Sequence, residues 1–273
     1  MNTTTLSRGA ASRTGGSYRF RAVAQMEWQK LRTVRSTWYI VAVFAVGMVG
    51  LAVLTASHEN YAQMSAADRA SFDPTYDAFL LGLVVGQLLL GVLGVLAITT
   101  EFSSGMIRAT FAAAPRRPLV LAAKAAVLGA VTLAAGEISA FAAFLAGQAA
   151  LQAQAPHATL GQPGVLRAVL MAGAYPALIA LISLGIGAII RHTAGAICAL
   201  FGVVFVLPLA FFSLGSSIRL VAQKFLPDTM RNALIAVKPV GHLLSPWLTF
   251  GLLCAYAMVA LAAGAWALAR HDA

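Results

Sequence analysis

Charge is what this chain has least of. Only 10% of its 273 residues are Asp, Glu, Lys or Arg, against about 25% in an ordinary soluble domain. A surface facing water needs polar side chains, and a chain that is 60% hydrophobic, with a mean hydropathy of +0.81, cannot supply them. Lipid accepts such a composition. Cysteine is scarce as well: Cys198 and Cys254 both fall inside apolar runs, without CxxC or Cys/His spacing, so neither a zinc site nor a disulfide framework is indicated. No Gly-Lys dipeptide occurs, so there is no Walker A loop to cradle nucleotide phosphates. HExxH, GxSxG and a strand-borne GxGxxG are missing too, and His58, His157, His192, His242 and His271 are scattered over five loops or ends. We read no enzyme active site, no metal site and no cofactor site in this chain. The net charge of +10 does not indicate nucleic acid, because basic cytoplasmic loops produce the same sum in a membrane protein.

What is present is apolar length. A helix needs about 20 apolar residues to cross about 30 Å of hydrocarbon. Six stretches qualify: Trp38–Ala56, Ala78–Thr100, Ala125–Ala150, Ala168–Ile190, Ala194–Leu214 and Trp247–Leu268. Only the third contains a charged residue, Glu137. Continuous apolar runs of this kind predict helices rather than the alternating strands of a barrel. The fold class expected is all-α and integral to the membrane. Residues 1–17, rich in Ser, Thr and Gly with no apolar core, read as a disordered tail and not a cleavable signal. Residues 18–273 read as a single six-span domain.

Orientation follows from Lys and Arg in the loops. With the N-terminus inside, the inner segments hold 13 of them and the outer segments 6. The expectation is therefore a multi-pass protein of the cell membrane with both termini cytoplasmic and residues 57–77 outside. Residues 215–246 carry four of the six outer positives. They read as interfacial, or as re-entrant helices broken near Pro227.

Before the first span, Phe20–Arg35 reads as an amphipathic interfacial helix. Phe20, Val23, Ala24, Trp28, Leu31 and Val34 share one side, and Arg21, Arg32, Gln25 and Gln29 the other. Glu27 falls inside the apolar stripe. Either it pairs with Lys30 three residues on, or it faces another protein. Between spans two and three, the loop from Thr100 to Pro118 is the densest polar segment. Ser103 or Ser104 is expected to cap a short helix there, and Pro115 to end it. Met106, Ile107, Thr110, Phe111 and Ala114 would give it a small apolar face beside Arg108. Such a helix serves as an interfacial stabiliser, or it plugs into a cytoplasmic partner. Gly82 and Gly86 permit close helix packing within or between protomers. Pro176 and Pro208 read as kinks in spans four and five.

The run Glu27-Trp28-Gln29-Lys30-Leu31-Arg32-Thr33-Val34-Arg35-Ser36 resembles the start of bacterial type-2 ABC transporter permeases. Similar to that family as well are Thr100-Glu101-Phe102 to Gly105 followed by Pro115-Arg116-Arg117 and Lys124, then Leu184-Gly185-Ile186-Gly187 through Ala194, Phe225-Leu226-Pro227, and the ending Arg270-His271-Asp272-Ala273. The resemblance covers residues 20–273. It implies a subunit, by expectation a homodimer, that binds two copies of an ABC ATPase, with ATP and Mg on that partner. The first helix would be a connecting helix bearing Glu27, Lys30, Arg32 and Arg35. Residues Glu101, Gly105, Arg108, Phe111, Pro115, Arg116 and Arg117 would form the ATPase-coupling segment. The last outer loop would carry re-entrant helices.

Function is therefore expected to be ATP-driven export of a drug, antibiotic, peptide or lipid-like substrate. A secondary transporter, or a membrane scaffold or sensor, would be the alternative. The first of these would want several charges at membrane depth, and here there is one. That one, Glu137, either is protonated and bonded to a neighbouring helix at Gln87, Ser139 or Ser183, or is a pathway carboxylate that favours cationic amphipathic substrates. The orientation is tested by a cysteine at Ser71 in a chain lacking Cys198 and Cys254. It should react with an impermeant maleimide added to whole cells, and reaction only from the cytoplasmic face would reverse the assignment.

Overall fold

A computed structural model describes residues 20–107, 110, 116–212, 223–238 and 243–270. The chain is all-α, with no strand among the described residues. Among the described residues ten α-helices follow in order: α1 Phe20–Thr33, α2 Arg35–His58, α3 Ala66–Ser71, α4 Pro74–Ser103, α5 Arg117–Ala150, α6 Val165–Ile190, α7 Thr193–Phe201, α8 Leu207–Phe212, α9 Pro227–Ile235 and α10 Pro246–Arg270. Among the described residues six segments are long and apolar enough to cross a membrane: α2, α4, α5, α6, the stretch Thr193–Phe211 and α10. They match the six expected stretches, with every start moved outward, by one residue for α10 and by eight for α5. Asp73 starts α4 early: its Oδ1 accepts from the amides of Thr75 and Tyr76, and Pro74 opens the helix where no amide is needed. Residues 1–17, expected to be disordered, lie outside the described residues, as does much of the expected coupling helix.

The most buried of the six spans is α6, which touches α4, α5, α7, α9 and α10. In lipid no hydrophobic drive pulls helices together, so contact depends on small residues that let backbones approach. Two such approaches are nearly backbone on backbone. A Cβ added at Gly94 on α4 would stand 2.1 Å from the carbonyl oxygen of Ala180, and one at Gly136 on α5 would stand 2.2 Å from that of Gly173. A third sits between α6 and α10, where a Cβ at Gly185 would meet the Ala260 backbone at 2.5 Å. The Gly82 and Gly86 pair packs within the protomer, against Met48 and Phe44 of α2.

Span five is interrupted where Pro208 removes an amide. Gly202–Val206 winds as a π-helix, and the Leu207 amide donates five residues back to Gly202. Pro176, in contrast, lies inside α6 without ending it. Of the expected segment 215–246, residues 215–222 and 239–242 lie outside the described residues. Pro227 does not break a helix but opens one, α9, at its first turn. The Pro227 carbonyl accepts from the hydroxyl of the fully buried Tyr175, 3.1 Å away. Tyr175 is ten residues along α6, so α9 reaches about 15 Å below the start of that helix. Arg167 ties down the other end of α9, donating to the carbonyls of Leu234 and Ala236. Asp73 Oδ2 accepts from the amides of Val237 and Lys238. Lys238 in turn donates to the carbonyls of Ala70 and Phe72.

All of this lies at one end of the bundle. Phe20 and Arg270, the first and last described residues, lie at the other, as an even number of spans requires.

Replacing Gly94 by Val should cost about 1–3 kcal/mol, because an overpacked crossing must open. Gly50→Ala, at a glycine with nothing within 4 Å of an added Cβ, should be near neutral. Thermal unfolding in detergent measures both, and equal effects would remove the crossing from the account.

Candidate functional site

Where α1, the end of α4 and the start of α5 meet, four charges close a ring. On α1, Glu27 and Lys30 lie three residues apart and so share a face; Lys30 Nζ donates to Glu27 Oε1 at 3.0 Å. It also donates to Glu101 Oε1 at 3.1 Å and to Thr110 Oγ1 at 3.1 Å. Lys124 Nζ donates to Glu101 Oε1 at 2.8 Å and, by a shorter contact, to Glu27 Oε2. Carboxylate and ammonium therefore alternate around the ring, and the two charges of each sign cancel. Glu27 is 3% exposed, and Glu101 and Lys124 are each 6% exposed. Charges so buried persist only when paired and hydrogen-bonded.

Burial works against the Lys30 ammonium, but hydrogen bonds and charge from Glu27 and Glu101 outweigh it, so its pKa is raised. The stabilisation it brings is thus in full force below its ordinary value of 10.5 and is lost only as pH climbs through the folded value. Beneath the ring, Val23 of α1 packs on Val120 and Ala123 of α5, with Ala24, Met26 and Leu119 around them.

The expected apolar stripe of α1 is therefore split. Val23 and Glu27 face α5, while Phe20, Trp28 and Val34 remain among the exposed large hydrophobic residues. Glu27 does pair with Lys30, and it also meets a helix of this same chain. The stripe's length changes too, because α1 ends at Thr33 and Val34 is extended, leaving Arg35 as the first residue of α2.

The expected loop between spans two and three begins later than its polar residues suggested. Glu101 belongs to the last turn of α4. Ser104 does not start a helix but closes that one, its hydroxyl donating to the Thr100 carbonyl at 2.7 Å. Gly105 follows at φ +71°, a left-handed turn with open space around it, which suits glycine. Arg108, Phe111 and Pro115 lie outside the described residues. Arg116 is exposed and precedes α5. Arg117 donates to the Leu268 carbonyl at 3.0 Å. Arg32 and Arg35 are exposed and outside the ring.

Residues that the sequence reading placed elsewhere complete this end. Lys124 was read as part of a loop; it sits two turns into α5 because that helix starts at Arg117. Arg191, in a left-handed conformation at φ 61°, donates to the Ala267 carbonyl at 2.9 Å and stacks over the Phe102 ring at 5.4 Å. Arg117 and Arg191 thus both bond the last carbonyls of α10, where positive charge is favourable.

Glu137 stands apart from the ring, half-buried midway along α5, with its carboxyl carbon close to Gly173. Its Oε2 has no hydrogen-bond partner. None of the three expected partners serves it: Gln87 Oε1 accepts from Tyr175, and Ser183 Oγ is itself unpartnered, while no bond joins Ser139 to the carboxyl. No group of three or more metal-ligating side chains occurs among the described residues.

Six spans, a helix lying before them and a charged end that binds it to spans two and three now stand together. A family model described as ABC-2 family transporter protein matches residues 23–208, more than half of the chain and all four residues of the ring. The chain belongs to the ABC-2 transporter family. It is a multi-pass membrane protein and a permease subunit of an ABC transporter. Permeases of this family generally work with an ATPase partner, and are the membrane component rather than the catalytic one. No curated protein matches the chain.

In this permease the ring should behave as one unit. Lys124→Met alone leaves two buried carboxylates short of a donor and should cost about 3–5 kcal/mol. Adding Glu27→Gln should recover part of that loss, with a coupling of about 0.5–3 kcal/mol. A double-mutant cycle by thermal unfolding in detergent measures it. Strict additivity would mean that the two side chains do not share a network.

Proposed function

We propose that this permease carries a drug, antibiotic, peptide or lipid-like substrate out across the cell membrane, driven by ATP hydrolysis on two copies of a separate ABC ATPase. The observation that carries the reading is the charge ring. It clamps α1 to α4 and α5 where residues 101–117 leave the membrane, so a displacement of that segment reaches three helices at once. ATP, with Mg, binds on the partner and draws two ATPase chains together. The segment from Glu101 to Arg117 moves with them, and two copies of the permease alternate access between their spans. Both termini are cytoplasmic in this reading, and the end tied by Asp73, Lys238 and Arg167 is the exit side. Glu137, with its unpartnered oxygen at mid-span, is the candidate pathway carboxylate for cationic amphipathic substrates.

The test is co-purification with a candidate ABC ATPase, together with transport-linked ATP hydrolysis. Phe111→Asp and Arg108→Glu should each cut ATPase binding about tenfold or more while membrane insertion persists, since a misplaced charge at an apolar contact costs several kcal/mol. Normal assembly and transport in both variants would leave the segment as an interfacial stabiliser only. In the same transport assay, Glu137→Gln should lower export of cationic compounds relative to neutral ones. An unchanged ratio would make Glu137 structural.

A further inference from the structure

Beside the charge ring lies a cavity of about 330 Å³. Its walls are mainly apolar, formed by Leu31, Val34, Leu93, Leu96, Ala97 and Val127, with the hydroxyls of Ser36 and Thr37 of α2 beside them, and the ring closes one side of it. Of the ring's four carboxylate oxygens, three accept hydrogen bonds. The fourth, Glu101 Oε2, is buried without any partner, although the Glu101 side chain is only 8% exposed and lines the cavity. A buried acceptor left unmade costs free energy, so it calls for a donor. The nearest hydroxyls on α4 are already committed to helix carbonyls: Thr100 donates to Leu96 and Ser104 to Thr100. Lys30 spends three donors on Glu27, Glu101 and Thr110. Ser36 and Thr37 also line the cavity, and Lys124 donates to Glu27 and to Glu101 Oε1, but none of these groups bonds Glu101 Oε2, which leaves it open to a donor from a molecule in the cavity.

We infer that this cavity binds a neutral amphiphile, with its hydroxyl donating to Glu101 Oε2 and its apolar body lying between α1, α4 and Val127. The charge balance selects the head group. Glu27 and Glu101 already cancel Lys30 and Lys124, so a cationic head would bring a third positive charge against two lysines. An anionic head would meet the unpartnered oxygen itself. A hydroxyl brings a proton donor and no net charge. The volume selects the body: about 300–1,000 Å³ is usual for a ligand pocket, and the lower limit admits one slender apolar group. Such a head and body belong equally to a membrane diacylglycerol with one chain inserted and to a free hydroxylated compound. Because the ligand would bond the ring, its presence would be felt by α1, α4 and α5 together. The inference stands on the cavity alone and does not require the proposed export cycle.

The experiment uses the full chain in nanodiscs of phosphatidylcholine, a lipid with no O–H or N–H donor. Pyrenebutanol is titrated in, and energy transfer from tryptophan to pyrene reports binding; Trp28 and Trp38 lie on α1 and α2, two of the four helices that line the cavity. Saturable binding should be about tenfold tighter for pyrenebutanol than for its methyl ether, which has lost the donor. It should also be tighter than for pyrenebutylamine. Ala97→Phe, and independently Val127→Phe from the facing helix, should abolish the saturable part.

Equal binding of alcohol and ether would overturn the inference and leave a water on Glu101. Tighter binding of the amine would overturn the choice of a neutral head. Unchanged binding in folded Ala97→Phe and Val127→Phe chains would place the probe elsewhere and overturn the site. Dioleoylglycerol is then added as competitor. Displacement assigns the site to a membrane lipid, and retention assigns it to a free amphiphile; both support the site.

Discussion

Everything in this permease depends on how closely α6 lets its neighbours approach. A bilayer supplies no hydrophobic drive between helices, so the bundle is held by contact, and contact at the Gly94/Ala180 and Gly136/Gly173 crossings is nearly backbone to backbone. With α4 and α5 each seated on α6, the angle between them is no longer free. Their ends near Glu101 and Lys124 converge to hydrogen-bonding distance as a result. The charge ring is thus a product of glycine packing some way below it. A side chain at either crossing would act on the ring without touching it.

The ring itself shows how a membrane protein keeps ions where solvent is scarce. Two carboxylates on different helices are bridged by two ammoniums, so neither sign is left in excess. That arrangement is weak evidence for added stability, because desolvation of four charges offsets much of their attraction. Its value lies in specificity. An α1 rotated by one residue would carry Glu27 away from Lys124, and the apolar clasp through Val23, Val120 and Ala123 would be lost with it.

Much of the fold was legible because hydropathy answers to lipid thickness, and lipid thickness is nearly constant. Helix ends were less so. Asp73 with Pro74 begins α4 before its apolar run, and Arg117 begins α5 two turns before its own, since the Asp73 cap and a first-turn proline in each helix, not hydropathy, mark those limits. The same shift hid the site. Glu101 and Lys124 read as loop residues, although both are helical and buried. Glu27 was the visible signal: a carboxylate in an apolar stripe demands a cation, and Lys30 was one answer. The second cation came from a distant helix, which no local periodicity reports. Pro227 misled for a related reason, since a proline both ends helices and begins them, and only the burial of α9 against Tyr175 shows which it does here.

One dimension of α4 carries a mechanical consequence. The helix has Glu101 in the charge ring at one end and Asp73, bonded to Val237 and Lys238, at the other. Its tightest contact, Gly94, is not at its middle. Seven residues, roughly 10 Å, separate that crossing from Glu101, while 21 residues, roughly 31 Å, separate it from Asp73. A stiff rod resting on such a fulcrum has arms of unequal length. Tilting it by ~1 Å at the short arm would sweep the long arm through ~3 Å, so a small shift at the ring would arrive enlarged at Asp73 and the amides it holds after α9.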